Sequence, residues 1–100
     1  MNLTTVPEHS RRAARYDFFR VLTNGRIRYY EKFKPATTPG STVGARMVVE
    51  VDATTGQVTR TWYESYDIQG RVVQVHPKRP KDLGHIQIDP QTGKEINRRP

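Results

Sequence analysis

Ala45-Arg46-Met47-Val48-Val49-Glu50-Val51-Asp52, then Ala53-Thr54-Thr55-Gly56, then Gln57-Val58-Thr59-Arg60-Thr61-Trp62-Tyr63-Glu64-Ser65-Tyr66 is the stretch that decides the fold. Two runs rich in β-branched and aromatic residues flank a turn that starts on Asp52 and ends on Gly56. Successive side chains of a strand point to opposite faces. Ala45, Met47, Val49 and Val51 therefore share a natural core face, against Arg46, Val48, Glu50 and Asp52. The Asp side chain caps a type I turn, and Gly takes up the left-handed conformation that β-branched residues resist. The stretch reads as a β-hairpin.

The same punctuation recurs on either side, at Thr23-Asn24-Gly25, Asp67-Ile68-Gln69-Gly70 and Asp89-Pro90-Gln91-Thr92-Gly93. Strand-forming residues fill the intervals 18–22, 26–33, 71–76, 85–89 and 94–97. Seven short strands at this spacing predict a mainly β fold, a twisted antiparallel meander or a small open barrel. Ser10 is placed as an N-cap before good helix formers, but two arginines at the start oppose the helix dipole, so one or two helical turns, or disorder, are expected over 10–16. A longer helix would make the class α+β. Residues 34–44, rich in Pro, Gly and Thr, and residues 77–82, with three cations around two prolines, read as loops. The division expected is a flexible segment at 1–9, a single basic β-rich domain at 10–97 and a loose tail at 98–100.

Composition narrows the function. A chain of 100 residues with 34% hydrophobic content is one domain with a lean core. With no cysteine it has neither disulfides nor thiolate metal sites, and its three histidines form no local cluster, so no cofactor is implied. No apolar run is long enough for a transmembrane helix, so membrane insertion is not expected. Seventeen Lys and Arg against ten Asp and Glu give a net charge of +7. That charge favours a polyanionic partner such as RNA, an acidic protein or an anionic membrane surface.

Arg26, Arg28, Tyr30, Lys32 and Lys34 alternate onto one face of the expected strand, a basic stripe with an aromatic inside it. With Arg71 and Arg79 these cations would neutralise phosphates, while Tyr29, Tyr30 and Tyr63 would stack on unpaired bases. A four-residue loop at 67–70 would pair Tyr66 with Arg71. Tyr63 then lies across from Gln74 and Thr61 from His76, on a polar face that also holds Thr59. Metal-independent RNA cleavage needs a base, an acid and cations for the developing charge. The acid–base groups are His9, His76, His85, Glu31, Glu50 and Glu64. His76, at a strand end beside Lys78, is the best placed. Either His76 with His85 or His76 with Glu64, supported by Arg60 or Lys78, would make a site.

Three blocks carry a resemblance: Arg28-Tyr29-Tyr30-Glu31 with Pro35-Ala36-Thr37-Thr38-Pro39-Gly40, then Gly44 to Glu50 with Asp52 to Glu64, then Asp67-Ile68-Gln69-Gly70-Arg71-Val72 with Val75-His76-Pro77. Residues 26–77 resemble the C-terminal toxin tips of bacterial polymorphic toxins of the Rhs and contact-dependent type. Tyr66 to Val72 also resembles one YD repeat of the Rhs shell. The first resemblance implies a delivered effector that acts in the target-cell cytoplasm, neutralised by an acidic immunity protein, and many such tips are metal-independent ribonucleases. Tips of this kind carry a histidine in the place of Tyr63 and a basic residue in that of His76, so the resemblance does not itself assign a role to His76. The readings carried forward are an RNA-cleaving toxin domain with Arg60, Glu64, His76 and Lys78 as catalytic candidates, a non-catalytic basic β module that would be cytoplasmic, and a fragment of a YD-repeat shell.

Overall fold

The computed structural model describes residues 7–100. They form one helix, α1 (Pro7–Arg15), and the strands β1 (Phe18–Val21), β2 (Arg26–Tyr30), β3 (Lys34–Pro35), β4 (Gly44–Asp52), β5 (Val58–Tyr66), β6 (Val72–Arg79), β7 (His85–Ile88) and β8 (Glu95–Arg99). The strands make one antiparallel sheet in the order β1-β2-β4-β5-β6-β7-β8, with β3 also paired to β4. The fold is therefore mainly β. The sheet stays open, because β1 and β8 lie at opposite ends of the order.

The turns generate this meander as their chemistry requires. Asp52 Oδ1 accepts the N–H groups of Thr54 and Thr55, and the Gly56 N–H closes back on the Asp52 carbonyl at 2.8 Å. Asp67 Oδ1 accepts from the N–H groups of Gln69 and Arg71, both at 2.9 Å, and the Asp67 N–H donates to the Arg71 carbonyl. The closing pair is thus Asp67 with Arg71, not Tyr66 with Arg71, and Gly70 takes the left-handed position at φ 79. Bulges at Ser65/Tyr66 and Thr61/Trp62 slide the strands further. Tyr63 lies opposite His76 rather than Gln74, and Thr61 opposite Arg79 rather than His76. For Tyr63 the slip is two residues, so it keeps its expected face.

Helix α1 begins at Pro7, so Ser10 lies inside it rather than capping it. Proline suits the first helical turn, where its missing N–H would have no helical partner. Residues 7–9 of the segment expected to be flexible are helical, and residues 1–6 lie outside the described residues. The helix lies over β2. His9 Nδ1 meets the Tyr29 hydroxyl at 2.7 Å, and the Tyr16 ring packs on Tyr29 at 5.7 Å. Beneath it, Ile27, Tyr29, Val49, Val51 and Ala53 form the buried core, with Met47 against it. Burial of each aliphatic side chain there contributes roughly 1.5–3 kcal/mol.

Three boundaries differ from the sequence reading. The strand expected over 26–33 stops at Tyr30; the Glu31 N–H still reaches the Met47 carbonyl at 3.0 Å, and the chain rejoins β4 as β3. That rejoining makes part of the expected loop at 34–44 regular. It is tight at Gly44, where a side-chain carbon would collide with the Phe33 ring and the Lys34 carbonyl. Strand β6 continues through Pro77 to Arg79, half of the second expected loop, with Pro77 opposite Trp62. Strand β8 runs to Arg99, which pairs with His85, so the tail expected to be loose is held by the sheet as far as that residue.

Candidate functional site

Register sorts the functional side chains onto two faces. On the helix side, past β4, the sheet presents Thr61, Tyr63 and Ser65 from β5, with Gln74 and His76 opposite the last two. Gln74 in turn faces Gln87 of β7, which brings His85 beside His76. The two imidazole rings sit with centroids 4.3 Å apart at 53°. His76 Nε2 is 2.8 Å from Asp82 Oδ1, and Lys78 Nζ is 3.3 Å from Asp82 Oδ2. Asp82 also accepts the Gly84 N–H at 2.9 Å. The Gly84 N–H, then the His76 and Lys78 side chains, hold the Asp82 carboxyl well below the usual carboxylate range. His85 Nδ1 is 3.2 Å from the Gln74 side-chain nitrogen. Tyr63 stands opposite His76 with 41% of its surface exposed.

These contacts assign the histidine tautomers. A carboxylate only accepts, so His76 donates through Nε2 and keeps Nδ1 as its free nitrogen. The Gln74 amide, whose oxygen and nitrogen can exchange places, holds His85 by Nδ1 and leaves Nε2–H as the outward proton that imidazolium His85 can give. The cluster thus offers one nitrogen as a base and one N–H as an acid, with the Lys78 ammonium beside them.

The opposite face is built around Glu50, which is fully buried. Its carboxylate accepts from Arg26 at 3.1 Å, Arg28 at 3.0 Å and Arg60 at 3.0 and 3.3 Å. Burial pushes its pKa up, but the Arg60 and Arg28 hydrogen bonds outweigh this and hold it at about 2. The Arg28 and Arg60 guanidiniums each lie 5.2 Å from the Trp62 ring centroid. A cleft of about 230 Å³ opens here, bordered by Arg28, Arg60, Thr61, Trp62, Val75, Pro77 and Arg79. Farther along, Glu64 accepts from Trp62 Nε1 at 3.0 Å and from the Tyr66 hydroxyl at 2.6 Å. Burial and that carboxylate push the Tyr66 hydroxyl well above the usual phenol range. Arg46 lies 5.1 to 5.7 Å from the rings of Phe18, Tyr66 and Phe33.

The structure divides the residues singled out in the sequence. It joins His76, His85 and Lys78, and it separates them from Arg60 and Glu64. Glu64 pairs with Val75 in the ladder, which sends its carboxylate through to the face away from His76. The His76–Glu64 alternative is therefore ruled out by strand alternation. Thr59 also leaves the polar face: a bulge at Glu50/Val51 turns its hydroxyl onto Glu50. Tyr29 and Tyr30 are 1% and 5% exposed, the first under α1 and the second stacked on Phe18 at 4.5 Å, so neither offers a ring to a base. The basic stripe shortens to Arg26, Arg28 and Tyr30, because Lys32 and Lys34 lie beyond the end of β2. Arg71 closes its own turn through Asp67 at 2.9 Å. Asp82, Gln74 and Trp62 were not singled out for these places. The signal for Asp82 was its position two residues before Gly84, another Asp–Gly turn.

Compared with protein-family models, with curated proteins and with solved structures, the chain matches none. Among the described residues no helix is long and apolar enough to cross a membrane.

Proposed function

We propose that this domain is a metal-independent ribonuclease of the polymorphic-toxin kind, with His76 and His85 as its base and acid. The observation that carries the reading is the pair of adjacent imidazoles, each oriented by its own partner, beside a lysine and an exposed tyrosine. In the reaction, His76 Nδ1 takes the proton from a ribose 2′-hydroxyl. The 2′-oxygen bonds to phosphorus, the bond from phosphorus to the 5′-oxygen breaks, and imidazolium His85 protonates the departing oxygen through Nε2–H and is left neutral. The products are a 2′,3′-cyclic phosphate and a 5′-hydroxyl. Lys78 offsets the charge that builds on the phosphoryl oxygens, and Tyr63 stacks on a neighbouring unpaired base. Asp82 and Gln74 are positioning residues. The net charge of +7 draws RNA to the domain, and it equally suits an acidic immunity protein as the inhibitor. The resemblance of residues 26–77 to toxin tips points the same way.

The test is incubation with total RNA and with tRNA in EDTA. Wild type should release fragments ending in a 2′,3′-cyclic phosphate. His76→Ala and His85→Ala should each lower the rate at least about 100-fold, while Glu64→Ala, on the other face, should still cleave. Intact RNA together with salt-sensitive binding would replace the enzyme with a non-catalytic basic module. Cleavage that survives both histidine substitutions would discard this site.

A further inference from the structure

We infer that the cleft between Arg28, Arg60 and Arg79, on the face away from the histidines, is a binding site for a nucleotide, with the phosphoryl group held by the arginines. Four guanidiniums, those of Arg26, Arg28, Arg60 and Arg79, gather on this side against the single buried carboxylate of Glu50. Glu50 holds Arg28 and Arg60 at fixed positions, which removes much of the ordering cost that flexible arginines impose on an incoming anion. Arg79 is exposed, and among the described residues no carboxylate pairs with it. It is the free cation of the group. Guanidinium forks match phosphoryl oxygens two at a time.

The rest of the cleft says what the phosphoryl group is attached to. A volume of about 230 Å³, where ~10–15 Å³ suffices for one water, is more than one phosphate fills. The remaining wall is Thr61, Trp62, Val75 and Pro77, a mostly apolar surface suited to a sugar and a flat base, with Thr61 reaching it at the bulge beside Trp62. Both faces of β6 meet at this end of the strand: His76 and Lys78 serve the helix side while Pro77 and Arg79 border the cleft. The site is defined by its own residues, and turnover at the histidines is not required for it.

Trp62 is the sole tryptophan of the chain, so its fluorescence reports this cleft directly. The probes are uridine 5′-monophosphate, ribose 5-phosphate, uridine and a hexaglutamate peptide, each titrated at low salt. Uridine 5′-monophosphate should give a saturable change with a Kd below about 1 mM, ribose 5-phosphate a weaker one, and uridine none. Arg60→Gln disturbs Glu50 and so the fold. Arg79→Gln does not, and it should raise the Kd for the nucleotide about three- to tenfold at an unchanged unfolding midpoint. No response to the nucleotide, an equal response to uridine, or Arg79→Gln binding as tightly as wild type would each overturn the site. A response to hexaglutamate alone would overturn it too, and would make the cleft a seat for an acidic peptide.

Discussion

Replacing Glu50 with Gln keeps the shape of the side chain and removes its charge. In the folded protein that charge is the common acceptor for Arg26, Arg28 and Arg60 and is 0% exposed. Its carboxyl is held at about 2, against 4.5 for an unperturbed glutamate. At 1.36 kcal/mol for each pH unit, the ionised carboxylate contributes about 3 kcal/mol at neutral pH. Breaking a buried ion pair typically costs about 3–5 kcal/mol. The lower end applies, because Arg26 and Arg60 are 42% and 50% exposed and can turn to water. Glu50→Gln should therefore lower the urea midpoint at pH 7 by about 2 M, with the slope unchanged. Because the folded-state pKa is depressed, the contribution is complete above the unfolded value of 4.5 and is lost as pH falls from there through about 2. The gap between wild type and variant should close over that window. Urea denaturation followed by circular dichroism at pH 7, 5, 3.5 and 2 measures this. Equal midpoints at pH 7, or a gap that persists at pH 2, would refute the reasoning.

Tyr29→Phe strands the buried His9 nitrogen and should cost about 1–3 kcal/mol, read as a fall in thermal midpoint. Gly44→Ala drives a methyl group into the Phe33 ring and the Lys34 carbonyl; it should destabilise by about 2–4 kcal/mol and speed amide exchange in β3 before β5. Asp82→Asn leaves His76 without its carboxylate, so under the proposed RNA cleavage kcat should fall about tenfold while binding at low salt changes little; an unchanged kcat would remove Asp82 from the proposed site.

The hairpins were legible because their signals are local. An Asp or Asn that caps a turn and a Gly with positive φ act within five residues; Gly25, Gly56, Gly70 and Gly93 all take positive φ, although the turn at 67–70 closes on Asp67 and Arg71. The core face of β4 was legible in part: Met47, Val49 and Val51 do join the core, but Val48 and Glu50 on the other face are just as buried, because neighbouring strands cover that face too. The faces of β5 and β6 were legible in part. Tyr63 and His76 share a face as expected, whereas Thr59 left its expected face and Thr61 its expected partner at bulges that no single-strand pattern records. The aromatic assignments to Tyr29 and Tyr30 failed because burial depends on what α1 and Phe18 lay over them, and that is set at long range.

From the sequence alone came the strand count to within one, the antiparallel meander, the absence of thiol chemistry and the strong positive charge. These follow from residue type, turn chemistry and counting. Tertiary structure alone decided which charges are free and which are tied. Arg26, Arg28 and Arg60 look alike in the sequence as surface cations, yet three strands converge to bind them to one buried carboxylate. It also decided that His76 meets His85 rather than Glu64. Strand register chose between them, because a side chain one residue out of step points to the other side of the sheet.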